Sequence, residues 1–363
     1  MSAWHRCVLA LFTLVPAIAG ADENTAQAPE SLREVYQGAF RVGVAAGTSL
    51  LADEADQALV KTHFNAFTLE NELKWDHIHP EEGHYNFGPA DALVDFARAN
   101  GMEVTGHTLV WNQQTPDWVF RDEQGNLASS DVVLARLRDH IHTVMTHFKG
   151  RVKGWDVVNE ALGDTAAEKL RDSPWLRTIG DDYVLRAFRL AHEADPDVEL
   201  YYNDYNLEDT VKRTHAVRLI KRLKAEGLRI DGVGLQGHYQ LPTVNTGAVA
   251  STIQTFAALG LRVNISELDL SVYGMLDRSN RFENGLPDAL LQLQADTYAA
   301  LFHTFLAHQD AIDRVTFWGV NDGSSWLNNF PVEKRPDYPL LFDSANRPKP
   351  AFDAVIAAGS AER

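Results

Sequence analysis

Two stretches of the chain bring a carboxylate to the same kind of place. Trp155-Asp156-Val157-Val158-Asn159-Glu160-Ala161-Leu162 reads as a short buried strand, residues 152–158, running out into Asn159 and Glu160. Leu261-Arg262-Val263-Asn264-Ile265-Ser266-Glu267-Leu268-Asp269 repeats the design and delivers Glu267. A carboxylate at the carboxyl end of a barrel strand is either a chemical group or a structural ion-pair partner. Two of them facing one pocket are the minimum equipment for splitting a glycosidic bond. The residue types supply the pair but not the division of labour within it.

Such a pair needs elements that bring two distant segments together. Apolar, β-rich runs predict strands at 40–44, 66–69, 103–106, 152–158, 198–202, 232–235, 262–265 and 314–318. Amphipathic runs predict helices at 53–63, 89–100, 130–148, 182–195, 209–226, 248–259, 287–307 and 350–358. Ser129 or Ser130 is placed to cap the third helix, and Gly101, Gly150 and Gly227 lie past helix ends. Eight strand–helix units in alternation predict an α/β fold, a single-domain (β/α)₈ TIM barrel. The rival, a doubly wound open sheet, lacks a Gly-x-Gly-x-x-Gly after the first strand.

The barrel gathers the residues just past each strand on one face. These are Glu70, Asn71 and Lys74; His107, Trp111 and Gln114; Asn159 and Glu160; Asn203, Asp204 and Tyr205; Gln236 and His238; Glu267 and Asp269; and Trp318 and Trp326. This set suits a sugar polymer. Aromatic faces cover the C–H faces of pyranose rings, while amides and carboxylates read the hydroxyls. Core packing is the alternative for any one Trp. It is weaker for Trp318, which ends a strand, and for Trp326, in a Gly/Ser/Asn loop.

Composition narrows the partner. The 363 residues carry a net charge of −17, with no Lys/Arg cluster, so neither nucleic acid nor an anionic membrane is an expected partner. Hydrophobic residues make up 45%, enough for one large core. His5 and Arg6, the apolar run Val8 to Ala19 and the small residues through Ala21 read as a secretory signal over residues 1–21. The run is short for a membrane span. The sole cysteine, Cys7, lies inside the signal segment, so the secreted chain is expected to contain neither thiol nor disulfide. Residues 22–36 read as a disordered lead-in and 37–363 as the catalytic domain. A monomer is expected, exported to the periplasm or the medium, with no cofactor and no metal.

The two carboxylate stretches resemble the active-site motifs of the glycoside hydrolase family 10 endo-β-1,4-xylanases. So do Glu70-Asn71-Glu72-Leu73-Lys74-Trp75-Asp76, Gly106-His107-Thr108-Leu109-Val110-Trp111, Gly234-Leu235-Gln236-Gly237-His238 and Phe317-Trp318-Gly319-Val320, in order along the chain. The resemblance implies a retaining hydrolase of β-1,4-linked xylan and xylo-oligosaccharides, with Glu160 as acid/base and Glu267 as nucleophile. It implies Asn159 on the sugar 2-hydroxyl, His238 holding Glu267, and Asp269 in the shell around it. Glu70, Asn71, Lys74 and His107 would grip sugars on the non-reducing side, with Gln114 and Gln236 close by. Trp318 and Trp326 would wall the cleft, Trp111 would lie under the reacting sugar, and Tyr205 would sit near the carboxylates. The chain departs from the family at Asn112, where His is usual, and Asn321 and Gly323 are less typical.

Three rivals remain. His77-Ile78-His79 has the spacing of a metal-dependent barrel hydrolase but lies several positions past its strand, beside Pro80, where surface histidines are the plainer reading. A sugar-binding barrel without catalysis is a second, though both glutamates are present. A β-1,4-glucanase or mixed-specificity glycanase would keep the chemistry and change the polymer.

Overall fold

The computed structural model describes Met1 and residues 31–361, so the expected signal segment lies outside the described residues. The chain divides between Glu30 and Ser31. In the second unit the strands are β1 (Arg41–Ala46), β2 (Ala66–Leu69), β3 (Glu103–Val110), β4 (Gly154–Asn159), β5 (Glu199–Asp204), β6 (Gly232–Leu235), β7 (His238–Gln240), β8 (Arg262–Ser271) and β9 (Ile312–Phe317). All pairings between these strands are parallel. They run in order from β1 to β6, then through β8 and β9 back to β1, closing the barrel. The short β7 continues β6 beyond Gln236 and Gly237 and pairs with the upper part of β8. The helices are α1 (Leu32–Val35), α2 (Glu54–His63), α3 (Trp75–Ile78), α4 (Gly88–Ala99), α5 (Ser130–His147), α6 (Pro174–Ile179), α7 (Tyr183–Ala194), α8 (Thr210–Ala225), α9 (Thr246–Ala257), α10 (Asp288–Leu306) and α11 (Pro350–Ser360).

The strands are buried on both faces, which is why they read as nearly continuous apolar runs. Helix starts follow their caps. Asp53 accepts from the N–H groups of Ala55 and Asp56 at 2.9 and 3.0 Å, and Asp209 does the same for Val211 and Lys212 at 2.8 and 3.0 Å. Glycines on the strands make room for large neighbours. Tyr201 of β5 lies across Gly154 of β4 and Gly232 of β6, and Arg314 of β9 places its guanidinium 5.1 Å above that ring. On the outer face of β4, Trp155 lies against Gly106 of β3 and toward Phe148, just past α5.

The structure carries two predicted strands well beyond their expected ends. β3 runs to Val110 instead of Gly106, and β8 to Ser271 instead of Ile265. Their outer halves carry His107, Ser266, Glu267 and Asp269, polar residues that mimic a strand end but face the barrel mouth. The lead-in ends earlier than expected. Residues 31–36 form α1 and its flanks, with Leu32, Val35 and Tyr36 buried and Tyr36 Oη donating to the Val355 carbonyl of α11 at 2.6 Å. Four helical residues are too few to show a period. His79 is likewise no surface residue. It is 1% exposed and stacked between Trp75 and Tyr85, whereas His77 is exposed beside Asp76.

A methyl group on residue 106 would sit 2.2 Å from Trp155 Cε3. Gly106→Ala is therefore expected to cost about 2–3 kcal/mol of stability through overpacking, read by calorimetry as a Tm lowered by several degrees.

Candidate active site

The mouth of the barrel is built around two irregularities in strand pairing. Opposite β6–β7, strand β8 carries three residues (266–268) where its neighbour has two; opposite β9 it carries two where the neighbour has one. This bulge turns Glu267 into the mouth while its N–H still bonds the Gln236 carbonyl at 2.7 Å. β4 is irregular against β5 between Asp156 and Val158, and beyond it Glu160 takes φ +54°, in the left-handed region. Its N–H bonds the Asn203 carbonyl at 2.9 Å.

Glu267 is 5% exposed and held at both oxygens. Asn203 Nδ2 donates to Oε1 at 2.7 Å, and His238 Nε2 meets Oε2 at 3.1 Å. The other imidazole nitrogen lies 3.0 Å from Asp269 Oδ2, which also accepts the Trp326 indole N–H at 2.8 Å. An imidazole facing a carboxylate at each nitrogen is best matched by its doubly protonated form. Burial opposes that charge, but Asp269 and then Glu267 outweigh it and push the His238 pKa up to about 10. Burial also opposes ionisation of Glu267. The His238 hydrogen bond, the neighbouring histidine charges and the Asn203 amide prevail and hold its pKa below the ordinary value.

Glu160 joins the same cluster from the far side. Gln236 Nε2 donates to Glu160 Oε1 at 3.1 Å and to Asn159 Oδ1 at 3.2 Å, and Asn159 Oδ1 also accepts from Asn203 Nδ2 at 3.0 Å. A continuous run of hydrogen bonds therefore links the two glutamates. Asn203 is fixed in turn by Ser266 Oγ, which donates to its Oδ1 at 2.6 Å, and needs Gly234 opposite it, where a Cβ would sit 2.1 Å from that oxygen. One carboxylate is thus held charged while its partner, half-buried, keeps a single side-chain hydrogen bond among the described residues. The pair can supply an anion and a proton carrier to one bond.

The other expected residues surround this centre. Lys74 Nζ donates to Asn71 Oδ1 at 3.0 Å and lies 5.0 Å above the Trp111 ring. Burial lowers the Lys74 pKa against the pull of Glu267, Glu70 and Glu160. Burial raises that of Glu70. His107 is 2% exposed, bonded to Asp156 at 2.9 Å and set edge-on to Trp318 at 5.3 Å. Trp326 stacks on Phe330 at 5.1 Å, so one indole face is already covered. Gln114 also has positive φ, and its carbonyl accepts the Asp76 N–H. Gln236 is buried within the glutamate cluster, on Glu160 and Asn159. Tyr205 borders a hollow of about 430 Å³ beside His238.

Sequence reasoning picked Asn203 as a strand-end residue but gave it no role, and it is the amide on Glu267. Asp156, Asp164, Arg171 and Lys212 were missed. Arg171 and Lys212 lie in a loop and a helix, away from any strand end. The atypical Asn321 points away from the centre, donating to Asp56 and Asn346 at 2.9 and 2.7 Å. Gly323 packs on Ser344 in the same turn. Among the described residues no helix is long and apolar enough to cross a membrane.

Comparison with known proteins gives a consistent result. The model for glycosyl hydrolase family 10 matches residues 31–358. A β-1,4-xylanase of Dictyoglomus thermophilum is 45% identical over 326 residues, 90% of each chain. An endo-1,4-β-xylanase of Geobacillus stearothermophilus is 42% identical over 329 residues, 90% of this chain and 98% of that one. The crystal structure of xylanase XynB from Paenibacillus barcinonensis, complexed with a conduramine derivative, superposes with a TM-score of 0.87 at 40% identity, covering 90% of this chain and 98% of that one. A solved mutant in complex with xylotriose gives 0.87 at 41%, with 90% and 99% covered.

His238 and Glu267 set opposite pH limits. His238 is raised from 6.5 to about 10, so its contribution to stability is complete below pH 6.5 and is lost as pH rises through about 10. Glu267 is lowered from 4.5, so its contribution is present above pH 4.5 and is lost as pH falls through its lower folded value. His238→Gln keeps a donor without the charge. Denaturant unfolding is expected to show the native protein's advantage over this variant shrinking between about pH 7 and 10, and a gap that stays constant would count against the charged bridge.

Proposed function

The chain belongs to glycosyl hydrolase family 10, and from that premise we propose that it is an endo-acting β-1,4-xylanase that cleaves xylan with retention of anomeric configuration. The observation that carries this reading is the anionic Glu267, clamped by His238 and Asn203 and joined to Glu160 through Gln236 and Asn159.

Glu160 protonates the glycosidic oxygen as Glu267 attacks carbon one. The C–O bond breaks, the shortened chain leaves as an alcohol, and a glycosyl ester forms on Glu267. Glu160, now ionised, takes a proton from water, whose oxygen displaces Glu267 and releases the β-anomer. Glu160 ends protonated and Glu267 ionised, as at the start. Clamping Glu267 favours its anion before attack and after release, so its attack depends on Glu160 protonating the leaving oxygen as the C–O bond breaks.

Asn159 spends its carbonyl on Asn203 and Gln236, leaving its Nδ2 to donate to the 2-hydroxyl of the reacting sugar. Lys74, Asn71, Glu70 and His107 hold sugars on the non-reducing side, with Gln114 at the edge. Trp111 lies under the reacting sugar, Trp318 and Trp326 wall the cleft, and Tyr205 faces the departing side. Residues 1–21 support export of the protein, where a polymer too large to enter a cell would be met.

Hydrolysis of xylohexaose followed by proton NMR is expected to give the β-anomer first, at rates well above those for cellohexaose. Glu267→Ala is expected to lower turnover on xylan about 10,000-fold or more. Glu160→Ala is expected to lower it about 100- to 10,000-fold while sparing the first step with activated aryl substrates. Native turnover in both variants, or first formation of the α-anomer, overturns the proposal.

A further inference from the structure

Beyond the carboxylate cluster, the loop after β4 folds back under Glu160 and brings a second charged group of residues against its backbone. Leu162 pairs with Leu170, and Arg171 N–H bonds the Ala161 carbonyl at 2.8 Å, so Arg171 lies directly beneath Glu160. Its Nε donates to the Glu160 carbonyl at 3.2 Å. Its Nη2 meets the Tyr205 hydroxyl and lies 3.3 Å from Asp164 Oδ2, which also accepts from Tyr205 at 2.8 Å. Asp164 is held from behind by Lys212, whose buried ammonium lies 2.8 Å from Asp164 and 2.9 Å from Asp204, 3.2 Å above the Tyr205 ring.

The left-handed conformation of Glu160 is strained for a residue with a side chain and persists only where its surroundings impose it. Its N–H is fixed by Asn203, its carbonyl by Arg171, and its carboxylate by one bond to Gln236. The direction of the side chain therefore depends on how the Glu160–Ala161 peptide is held, its N–H by the Tyr202 hydroxyl at 3.1 Å and its carbonyl by the Arg171 guanidinium. That guanidinium is aimed by Asp164, which Lys212 anchors.

We propose that Arg171 is a positioning residue for proton transfer. It holds the Glu160 backbone in the left-handed conformation that aims the carboxyl at the leaving oxygen, and Asp164 and Lys212 hold Arg171. This rests on Glu160 being the acid/base. Arg171 also touches Tyr205, so a loss on natural substrates could come from weakened sugar binding. A series of aryl β-xylobiosides separates the two effects, because the sugar part is constant and only leaving-group basicity changes.

The test compares kcat/KM across that series, from 2,4-dinitrophenyl to phenyl, for the native enzyme, Arg171→Met, Arg171→Lys and Glu160→Ala, with melting followed for each. Arg171→Met is expected to stay within about threefold of native on the dinitrophenyl substrate and to fall about 30-fold or more on the phenyl one. Arg171→Lys, which keeps charge but cannot span both acceptors, is expected to fall between. Should Arg171→Met fail to fold, Arg171→Lys alone decides. A uniform loss across the series, or no loss, in the folded variants overturns the proposal. If Glu160→Ala itself shows no leaving-group dependence, the acid/base assignment fails instead.

Discussion

A protonated imidazole between two buried carboxylates is the interaction on which this molecule's chemistry depends. Glu267 is nearly enclosed, and enclosure alone would keep it neutral. His238 reverses that preference, but a lone buried imidazolium would be as costly as a lone carboxylate. Asp269 on its other side resolves the difficulty, and the Trp326 indole donates to Asp269 in turn. The nucleophile candidate therefore owes its charge to a chain of contacts rather than to exposure.

That chain requires strand geometry a regular barrel does not have. β8 gives Glu267 and Asp269 only by carrying extra residues against both neighbours, and β7 presents His238 only because β6 resumes beyond Gly237. Small residues make space for the supporting side chains. Gly232 accommodates the Tyr201 ring and Gly234 the Asn203 amide, so two glycines on one strand clear the floor and the wall of the centre. Rigidity below is matched by strain above, at Glu160.

The architecture was legible because parallel barrel strands are apolar on both faces and their helices begin at side-chain caps, as at Asp53 and Asp209. The strand-end rule gathered Glu160, Glu267, His238, Asn159 and Lys74 correctly onto one face. It failed where the functional half of a strand is itself polar, which is why β3 and β8 ran longer than expected. It was silent on Arg171 and Lys212, which stand well past the ends of β4 and β5 in a loop and a helix and whose types read as ordinary surface charge. It also could not distinguish Gln236 as part of the glutamate cluster from Gln236 as a sugar contact, since both uses need the same amide.

Trp326 has a double attachment with a consequence for anyone exchanging loops between barrels. Its face rests on Phe330 while its N–H reaches Asp269, so one side chain sets both the shape of the rim and the hydrogen bonding of a carboxylate behind the centre. A transplanted segment with a phenylalanine there would reproduce the contour and leave Asp269 one donor short. Surface shape and internal charge are inherited together at this position, and a graft judged by outline alone would carry over only half of what the native loop provides.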